Sequence, residues 1–405
     1  MAKVDVEQDT NRVRPEARPD DVVIGVAGLA DVVRVRSLAG QWEEAGRRVT
    51  VVYPSVSGHA EVLSDEQSPV RLIPREIASA STAAASWLGQ PPVYADLLAA
   101  AESLGARACV FLNPDLAGFM PGCVDALAAP LLAGECDLTM PLYPSGRFDG
   151  LLTQAILAPL TRALYGRRVR FPLAQDFGVS SAFGSVLRHS IGSTLATQSL
   201  LWPATEAVVR DRKLCQVTLP AHHEFGAGGL DLPSLLQALV APLFTDVERH
   251  ASLWQRIRGS QPTPELGPAQ TEIAEASSPD PRPMVEAFQL GQRNLQEIWS
   301  PVLPPVTLLE LKKLSRQPLE SFRMADALWA RIVYDFALAF RLRTLARNHL
   351  LGSLAPLYLG WVGSRVLEMQ IADSVTARQE QLERAFEQNK PYLVQRWRWP
   401  DRFNP

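Results

Sequence analysis

The first half of the chain alternates short apolar runs with longer helical patterns. The apolar runs at residues 21–28, 48–53 and 109–112 are bounded by turn residues, which predicts strands buried on both faces. Residues 33–45 and 93–105 have helical periodicity. Strand, helix and strand in this order form βαβ units, whose crossovers are right-handed and whose strands are parallel. The pattern therefore predicts an α/β domain with a mostly parallel sheet.

The second half of the chain is almost wholly helical in pattern. Helical stretches at residues 232–256 and 284–298 flank a polar, proline-rich segment at 259–283, which predicts a loop or linker. The first residues of the chain are polar and predict a disordered lead-in. The predicted divisions are a lead-in (1–20), an α/β domain (21–231) and a mainly helical C-terminal region (232–405).

Composition and charge narrow the class of protein. The chain has 405 residues, 47% of them hydrophobic, and a formal net charge of -3, so no global attraction to nucleic acid or anionic membrane is implied. The N-terminus lacks the apolar core of a secretory signal. The cysteines show no CxxC spacing and lie among apolar residues, which predicts buried free thiols in a reducing compartment. We therefore expect a cytoplasmic protein.

The most apolar stretch, residues 349–369, is too interrupted for a continuous membrane span. Pro356 and Arg365 break it, so a buried core helix or helix pair is expected, with a peripheral membrane contact as the less favoured alternative. No integral membrane segment is predicted.

Candidate chemistry begins where the strand at residues 109–112 ends. The turn Asn113-Pro114-Asp115 follows it, and it presents the Asp115 carboxylate at the carboxyl end of a central strand. Ligands bind at that edge of an open α/β sheet. Aspartate is also a common turn residue, and spacing alone favours that simpler interpretation.

Three further groups of polar residues are candidates for a site. The arginines at 167, 168 and 170 form either a solvated face or a site for phosphate or carboxylate. Asp176 lies among apolar residues and is predicted to be at least partly buried. His222 and His223 precede a glycine-rich loop and suit either a metal site or an ordinary surface.

Several motifs together resemble one family. The segment PLTRALYGRRVR at residues 159–170, the segment YDFALAF at 334–340 and a histidine before a glycine-rich loop are similar to one enzyme group. That group is the GT-A-fold glycosyltransferases around mannosylglycerate synthase and glucosyl-3-phosphoglycerate synthase. The resemblance covers roughly residues 21–370.

The resemblance implies a nucleotide-sugar-dependent hexosyltransferase. Such an enzyme transfers a hexose with retention to a small hydroxy-acid-like or sugar acceptor, and a divalent cation, Mg²⁺ or Mn²⁺, bridges the donor diphosphate. The family holds that cation with a DxD turn and a later histidine. Asp115 matches the second aspartate, Asn113 replaces the first, and His223 matches the histidine, with His222 as the fallback.

The resemblance also implies roles for other residues. Asp176 matches the acid of a family loop near sugar and acceptor, and it is the catalytic candidate. Asp149 and Arg167 fall where acceptor or phosphate contacts are expected, and Asn113 belongs with them as a donor-side contact.

Four loops depart from the family pattern and leave two main hypotheses. Polar family motifs are replaced at residues 25–30, 53–58, 81–86 and 191–194, whereas positions that build the core match. The first hypothesis is an active transferase, and the second is a degenerate homologue that binds a sugar or a protein partner. A homo-oligomer or a complex with an active homologue is left open. A third hypothesis is a structural protein that uses its arginine-rich C-terminal helices as an interface.

Overall fold

The computed structural model describes most of the chain. The described residues are 21–26, 40–44, 49–55, 70–76, 91–112, 121–174, 176–193, 200, 202–221, 231–268, 278–370 and 374–399. The predicted lead-in, residues 1–20, lies outside them.

A mostly parallel sheet lies at the centre of the first half. Within the described ranges it has eight strands in the order β10-β8-β5-β7-β4-β1-β2-β3. The strands are β1 Val22–Val26, β2 Val49–Ser55, β3 Val70–Glu76, β4 Ala108–Leu112, β5 Leu138–Leu142, β7 Phe177–Ser180, β8 Leu214–Thr218 and β10 Glu265–Leu266. Two short strands, β6 Arg167–Arg168 and β9 Gln261–Pro262, pair separately. All the predicted strands are present, and the predicted parallel pairing of β1, β2 and β4 is confirmed.

One strand runs against the others. β7 pairs antiparallel with both β4 and β5, and Phe177 lies opposite Phe111. The apolar pattern did not predict it, because β7 is short and contains Gly178. That glycine is required by close packing, since a Cβ there would lie 2.5 Å from Thr139 Oγ1 and 2.8 Å from Leu131 Cδ1.

Helices flank the sheet and build the C-terminal region. Those of the first half are α1 Pro91–Ser103, α2 Pro121–Leu132, α3 Ala158–Tyr165, α4 Ser181–Ser193 and α5 Pro203–Val209, with a π-helical turn at Thr153–Leu157 that leads into α3. The C-terminal helices are α6 Leu232–Arg249, α7 Ala251–Trp254, α8 Arg282–Asn294, α9 Gln296–Trp299, α10 Pro305–Leu314, α11 Asp326–Leu342, α12 Arg347–Met369 and α13 Val375–Arg398. The expected fold class, a mostly parallel α/β sheet followed by a mainly helical region, is confirmed.

Three hydrophobic cores stabilise the described part of the molecule. Two of them cover the two faces of the sheet. The largest lies in the helical region, and the segment from Leu152 to Tyr165 contributes its apolar side chains to it. This segment precedes β6 in the chain, so residues of the predicted α/β half complete the core of the helical half. The cysteines are buried and free, as predicted.

The apolar stretch at 349–369 forms one uninterrupted helix, α12, with Pro356 inside it. By length and composition α12 could cross a membrane, but 78% of its most apolar window is buried inside the protein. The expectation of a buried core helix is therefore confirmed. Helix α8 packs very closely against α12, since a Cβ on Gly291 would lie 2.5 Å from the Pro356 Cβ.

Candidate functional site

The carboxyl ends of the parallel strands meet at one edge of the sheet. The segments that follow β1, β2, β3 and β4, together with residues 222–230 after β8, lie outside the described residues. Asn113, Asp115, His222 and His223 belong to these segments, so their proposed roles stay predictions from the sequence. The described part of this edge is built by the segment after β5 and by the residues that surround it.

A cavity of about 520 Å³ opens beyond the carboxyl end of β5. Its walls come from three separate stretches of the chain: the segment between β5 and β7, the β9–β10 region, and the start of α13. The charged residues that line it are Asp149, Arg162, Arg168, Arg170, Glu265, Glu380 and Glu383. This volume is in the range of small-molecule sites, which hold roughly 300–1,000 Å³.

The arginine segment is held in place by one buried glutamine. Gln216 lies on β8 and is 1% exposed. Its Oε1 accepts a hydrogen bond from the backbone N–H of Arg170 at 2.9 Å, and its Nε2 donates to the carbonyl oxygen of Arg168 at 3.3 Å. Arg168 and Arg170 line the cavity. Arg167, the residue predicted from the family, instead donates to Gln261 Oε1 at 2.9 Å and is not a lining residue.

Arg162 forms the deepest charged part of the wall. It is 2% exposed and pairs with three glutamates of α13, Glu380, Glu383 and Glu387. The hydrogen bond from Arg162 lowers the pKa of Glu380 to about 2. Burial raises the pKa of Glu383, which Gln379 and Arg162 oppose. This network neutralises the charge of Arg162 inside the protein. Arg168, whose Nε donates to Ser260 Oγ at 3.1 Å, and Arg170 are the other arginines that line the cavity.

Asp149 lies in the segment after β5 and reaches the cavity. Its Oδ2 accepts a hydrogen bond from the backbone N–H of Gly146 at 2.7 Å, which closes a turn, and the residue is exposed. Asp149 lines the cavity, and its contact with an acceptor stays a prediction.

Asp176 is buried and does not line the cavity. Its exposure is 0%, and its Oδ2 accepts a hydrogen bond from the Tyr143 hydroxyl at 2.6 Å. Burial, together with the charge of Asp176, raises the pKa of Tyr143 well above its ordinary value, so this phenol stays protonated and donates. The predicted burial of Asp176 is therefore confirmed, while its contact is with Tyr143 at the end of β5.

A different set of side chains offers donor atoms for a metal ion. Glu206, Asp246 and His250 bring one ligand atom each to within 4.8 Å of one another, and none of them lines the cavity. Sequence reasoning missed this group because Glu206 lies on another helix, far along the chain from the neighbouring pair Asp246 and His250. Gln216 and the α13 glutamates were missed for the same reason. A polar residue inside an apolar strand is the one signal that pointed to Gln216.

No protein-family model matches this chain, and no curated protein matches it. Among solved structures, glucosyl-3-phosphoglycerate synthase from Mycobacterium tuberculosis in complex with Mg²⁺ and uridine diphosphate is 18% identical. The match covers 56% of this chain and 78% of that one, with a TM-score of 0.38. The same enzyme with Mn²⁺, uridine-diphosphate-glucose and phosphoglyceric acid is 18% identical, over 57% and 79% of the two chains, with a TM-score of 0.35. These similarities concern the fold alone and do not indicate a substrate.

Proposed function

We propose that this chain is a glycosyltransferase that transfers a hexose from a nucleotide sugar, with retention, to a small hydroxy-acid-like or sugar acceptor. The observation that carries this proposal is the cavity beyond β5 with Arg168 and Arg170 in its wall. Ligands of open α/β sheets bind at this edge. The motif at residues 159–170, which resembles the glycosyltransferase group, contributes Arg162, Arg168 and Arg170 to the same wall.

The charges of the cavity suit a small anionic acceptor with hydroxyl groups. Guanidinium groups bind carboxylate or phosphate in a fork geometry, and Gln216 fixes the backbone that carries both arginines. Asp149 and Glu380 supply carboxylate oxygens that accept hydrogen bonds from hydroxyl groups. The acceptor is thus expected to place its anionic end at the arginines and its hydroxyl groups toward the carboxylates.

The donor is expected beside the cavity, at the carboxyl ends of β1 and β4. We assign the divalent cation, Mg²⁺ or Mn²⁺, to Asp115 and His223, with His222 as the fallback and Asn113 as a neutral oxygen donor. A carboxylate, an amide oxygen and an imidazole form a set that hard or borderline divalent ions accept. When bound, such an ion offsets the charge that develops on the leaving nucleotide.

A degenerate glycosyltransferase that binds a ligand or protein partner without transfer is the second candidate. It is favoured by the burial of Asp176, because a carboxylate fully covered and bonded to Tyr143 does not contact a ligand in the cavity. Asn113 in place of the first metal carboxylate favours it as well. An active homologue of this chain is then the natural partner.

Calorimetric titration distinguishes the two candidates. We expect UDP or GDP to bind with a micromolar dissociation constant in the presence of Mn²⁺ and to bind at least tenfold more weakly without it. Asp115→Ala should abolish the metal-dependent part because it removes the only carboxylate assigned to the ion. Glu297→Ala, at an exposed site on α9, is the control for a lost surface carboxylate. Folded protein that binds neither nucleotide would contradict the transferase and favour the degenerate homologue.

A second titration tests the cavity itself, with 3-phosphoglycerate as a phosphorylated hydroxy acid. The double variant Arg168→Ala/Arg170→Ala should weaken binding at least tenfold, because both guanidinium groups line the cavity. Arg167→Ala is the matched control, since that side chain bonds to Gln261 and should leave binding unchanged. Equal losses in both proteins would contradict the assigned acceptor site.

A further inference from the structure

Two helices bring an imidazole and two carboxylates together away from the cavity. Glu206 lies on α5, Asp246 lies in the last turn of α6, and His250 follows at the end of α6. His250 Nε2 is 3.5 Å from Asp246 Oδ1 and 3.9 Å from Glu206 Oε1. Glu206 and Asp246 are 1% and 0% exposed, so both carboxylates are held out of water.

The inner atoms of this group make no hydrogen bond. Glu206 Oε1, Asp246 Oδ1 and His250 Nε2 are all buried and unpartnered. The outer oxygens are occupied, because Glu206 Oε2 pairs with Arg210 and Asp246 Oδ2 accepts from the Tyr165 hydroxyl at 2.5 Å. Buried polar atoms are rarely left unpaired, so three that face one another indicate a missing shared partner. The contacts of Arg210 and Tyr165 fix the orientation of the two carboxylates. Hydrogen bonds to the ligands of a metal ion have the same effect.

The distances fit a metal ion better than a proton. An imidazolium bonded to a carboxylate has a separation of about 2.7–2.9 Å, shorter than both separations here. A zinc ion binds nitrogen and oxygen at about 2.0–2.2 Å, which places tetrahedral donor atoms about 3.3–3.6 Å apart. The separation of 3.5 Å lies in that range, and 3.9 Å needs only a small movement of one side chain.

The surrounding charges select the kind of ion. Arg210 pairs with Glu206 through Oε2, and Arg249 lies in the same last turn of α6 as Asp246. Because Arg210 and Arg249 offset the two carboxylates, an ion bound by charge alone, such as Ca²⁺ or Mg²⁺, is disfavoured. An ion of the zinc type is still favoured, because imidazole is one of its preferred ligands.

We propose that Glu206, Asp246 and His250 bind a divalent transition-metal ion of the zinc type. The ion joins α5, which leads into strand β8 of the sheet, to α6, which begins the helical region. A water molecule takes the fourth position, and the His250 side chain, at 14% exposure, is the most exposed of the three ligands. The site shares no residue with the cation site assigned to Asp115 and His223.

The experiment uses the full chain with Asp115→Ala and His223→Ala, so that the assigned donor-site ligands cannot contribute. After treatment with a chelator, this protein is titrated with Zn²⁺ alone by equilibrium dialysis and by thermal unfolding. We expect one ion per chain and a rise in Tm that increases with Zn²⁺ concentration. Adding His250→Ala should weaken binding at least tenfold and remove the rise. Adding His349→Ala, an exposed histidine on α12, should change neither.

X-ray absorption on the zinc-loaded background protein keeps the test decisive if His250→Ala does not fold. One imidazole nitrogen with oxygen ligands is expected in the coordination sphere. A background protein that takes up no Zn²⁺, a zinc ion without an imidazole, or undiminished binding in the folded His250→Ala protein would each overturn the proposal.

Discussion

At the residue scale, Gln216 connects the sheet to the cavity wall. It is a polar side chain in the middle of a buried strand, and each end of its amide bonds to the backbone of the arginine segment. Its own backbone N–H donates to the carbonyl oxygen of Pro264 at 2.8 Å, which ties the β9–β10 wall to the same point. Two walls of the cavity therefore meet at one residue, which holds the arginine segment through its side chain and the β9–β10 wall through its backbone.

Gln216→Leu should lower the free energy of unfolding by about 1–3 kcal/mol, because it removes the buried hydrogen bonds that Gln216 makes with the Arg170 N–H and the Arg168 carbonyl. The same change should weaken 3-phosphoglycerate binding, since the arginines lose their support. Urea unfolding measures the first effect and calorimetry the second. Gln317→Leu, at an exposed position after α10, controls for the loss of an amide. Equal stability of the two variants would refute this role.

Residue types could be predicted from the sequence better than residue contacts. The arginine cluster and Asp149 were recognised, and both reach the cavity, although Arg168 and Arg170 do so rather than Arg167. Which arginine faces the cavity depends on a partner in β8, more than forty residues away in the chain. The spacing of neighbouring residues in the sequence does not predict such a contact.

At the element scale, strands and helices with a clear apolar pattern were predicted correctly. Elements whose formation or ends depend on tertiary packing were not. The strands β1, β2 and β4 follow from apolar runs, whereas β7 depends on the space that Gly178 leaves for α2 and β5. The long helix predicted at 232–256 is two helices, because the chain leaves helical geometry at His250. The same break occurs at Leu295, between α8 and α9. Periodicity continues across both breaks, which hides them in the sequence.

The contact between α3 and α13 should make stability depend on acidity. Arg162 lowers the pKa of Glu380 from an ordinary 4.5 to about 2, so this carboxylate stabilises the fold above pH 4.5 and loses that effect as the pH falls toward 2. The stability difference between wild type and Glu380→Gln should therefore shrink as the pH is lowered from 6 to 3.

Chemical unfolding at several pH values measures this difference. Glu297→Gln, on the exposed surface of α9, is the control for a lost glutamate. A gap between wild type and Glu380→Gln that is the same at pH 6 and pH 3 would show that Arg162 does not act on Glu380 in this way.

At the scale of the whole molecule, α13 joins the cavity wall to the helical region. It completes the cavity wall through Glu380 and Glu383, and it packs along α11 through a buried ion pair. That pair joins Arg396 Nε to Asp335 Oδ1 at 2.9 Å, with both side chains almost fully buried. The Tyr392 hydroxyl lies 2.8 Å from both oxygens of Asp335. The division at residue 232 stays a prediction, and stretches on both sides of it build the cavity.

Asp335→Ala should lower the free energy of unfolding by about 3–5 kcal/mol, because it leaves the buried guanidinium of Arg396 without its carboxylate. Tyr392→Phe removes only the hydroxyl and should cost about 1 kcal/mol. Urea unfolding compares the two variants. A loss in Asp335→Ala no larger than that in Tyr392→Phe would contradict a stabilising role for the ion pair.

The segments that form the walls of the cavity are also synthesised in a fixed order. The wall between β5 and β7 is made first, the β9–β10 wall follows, and the α13 wall is made last. A nascent chain can therefore fold its sheet while the cavity still lacks a side and Arg162 still lacks its glutamates. Ligand binding in this cavity should then begin only once α13 has been made and has folded, so a bound ligand marks chains in which α13 is in place.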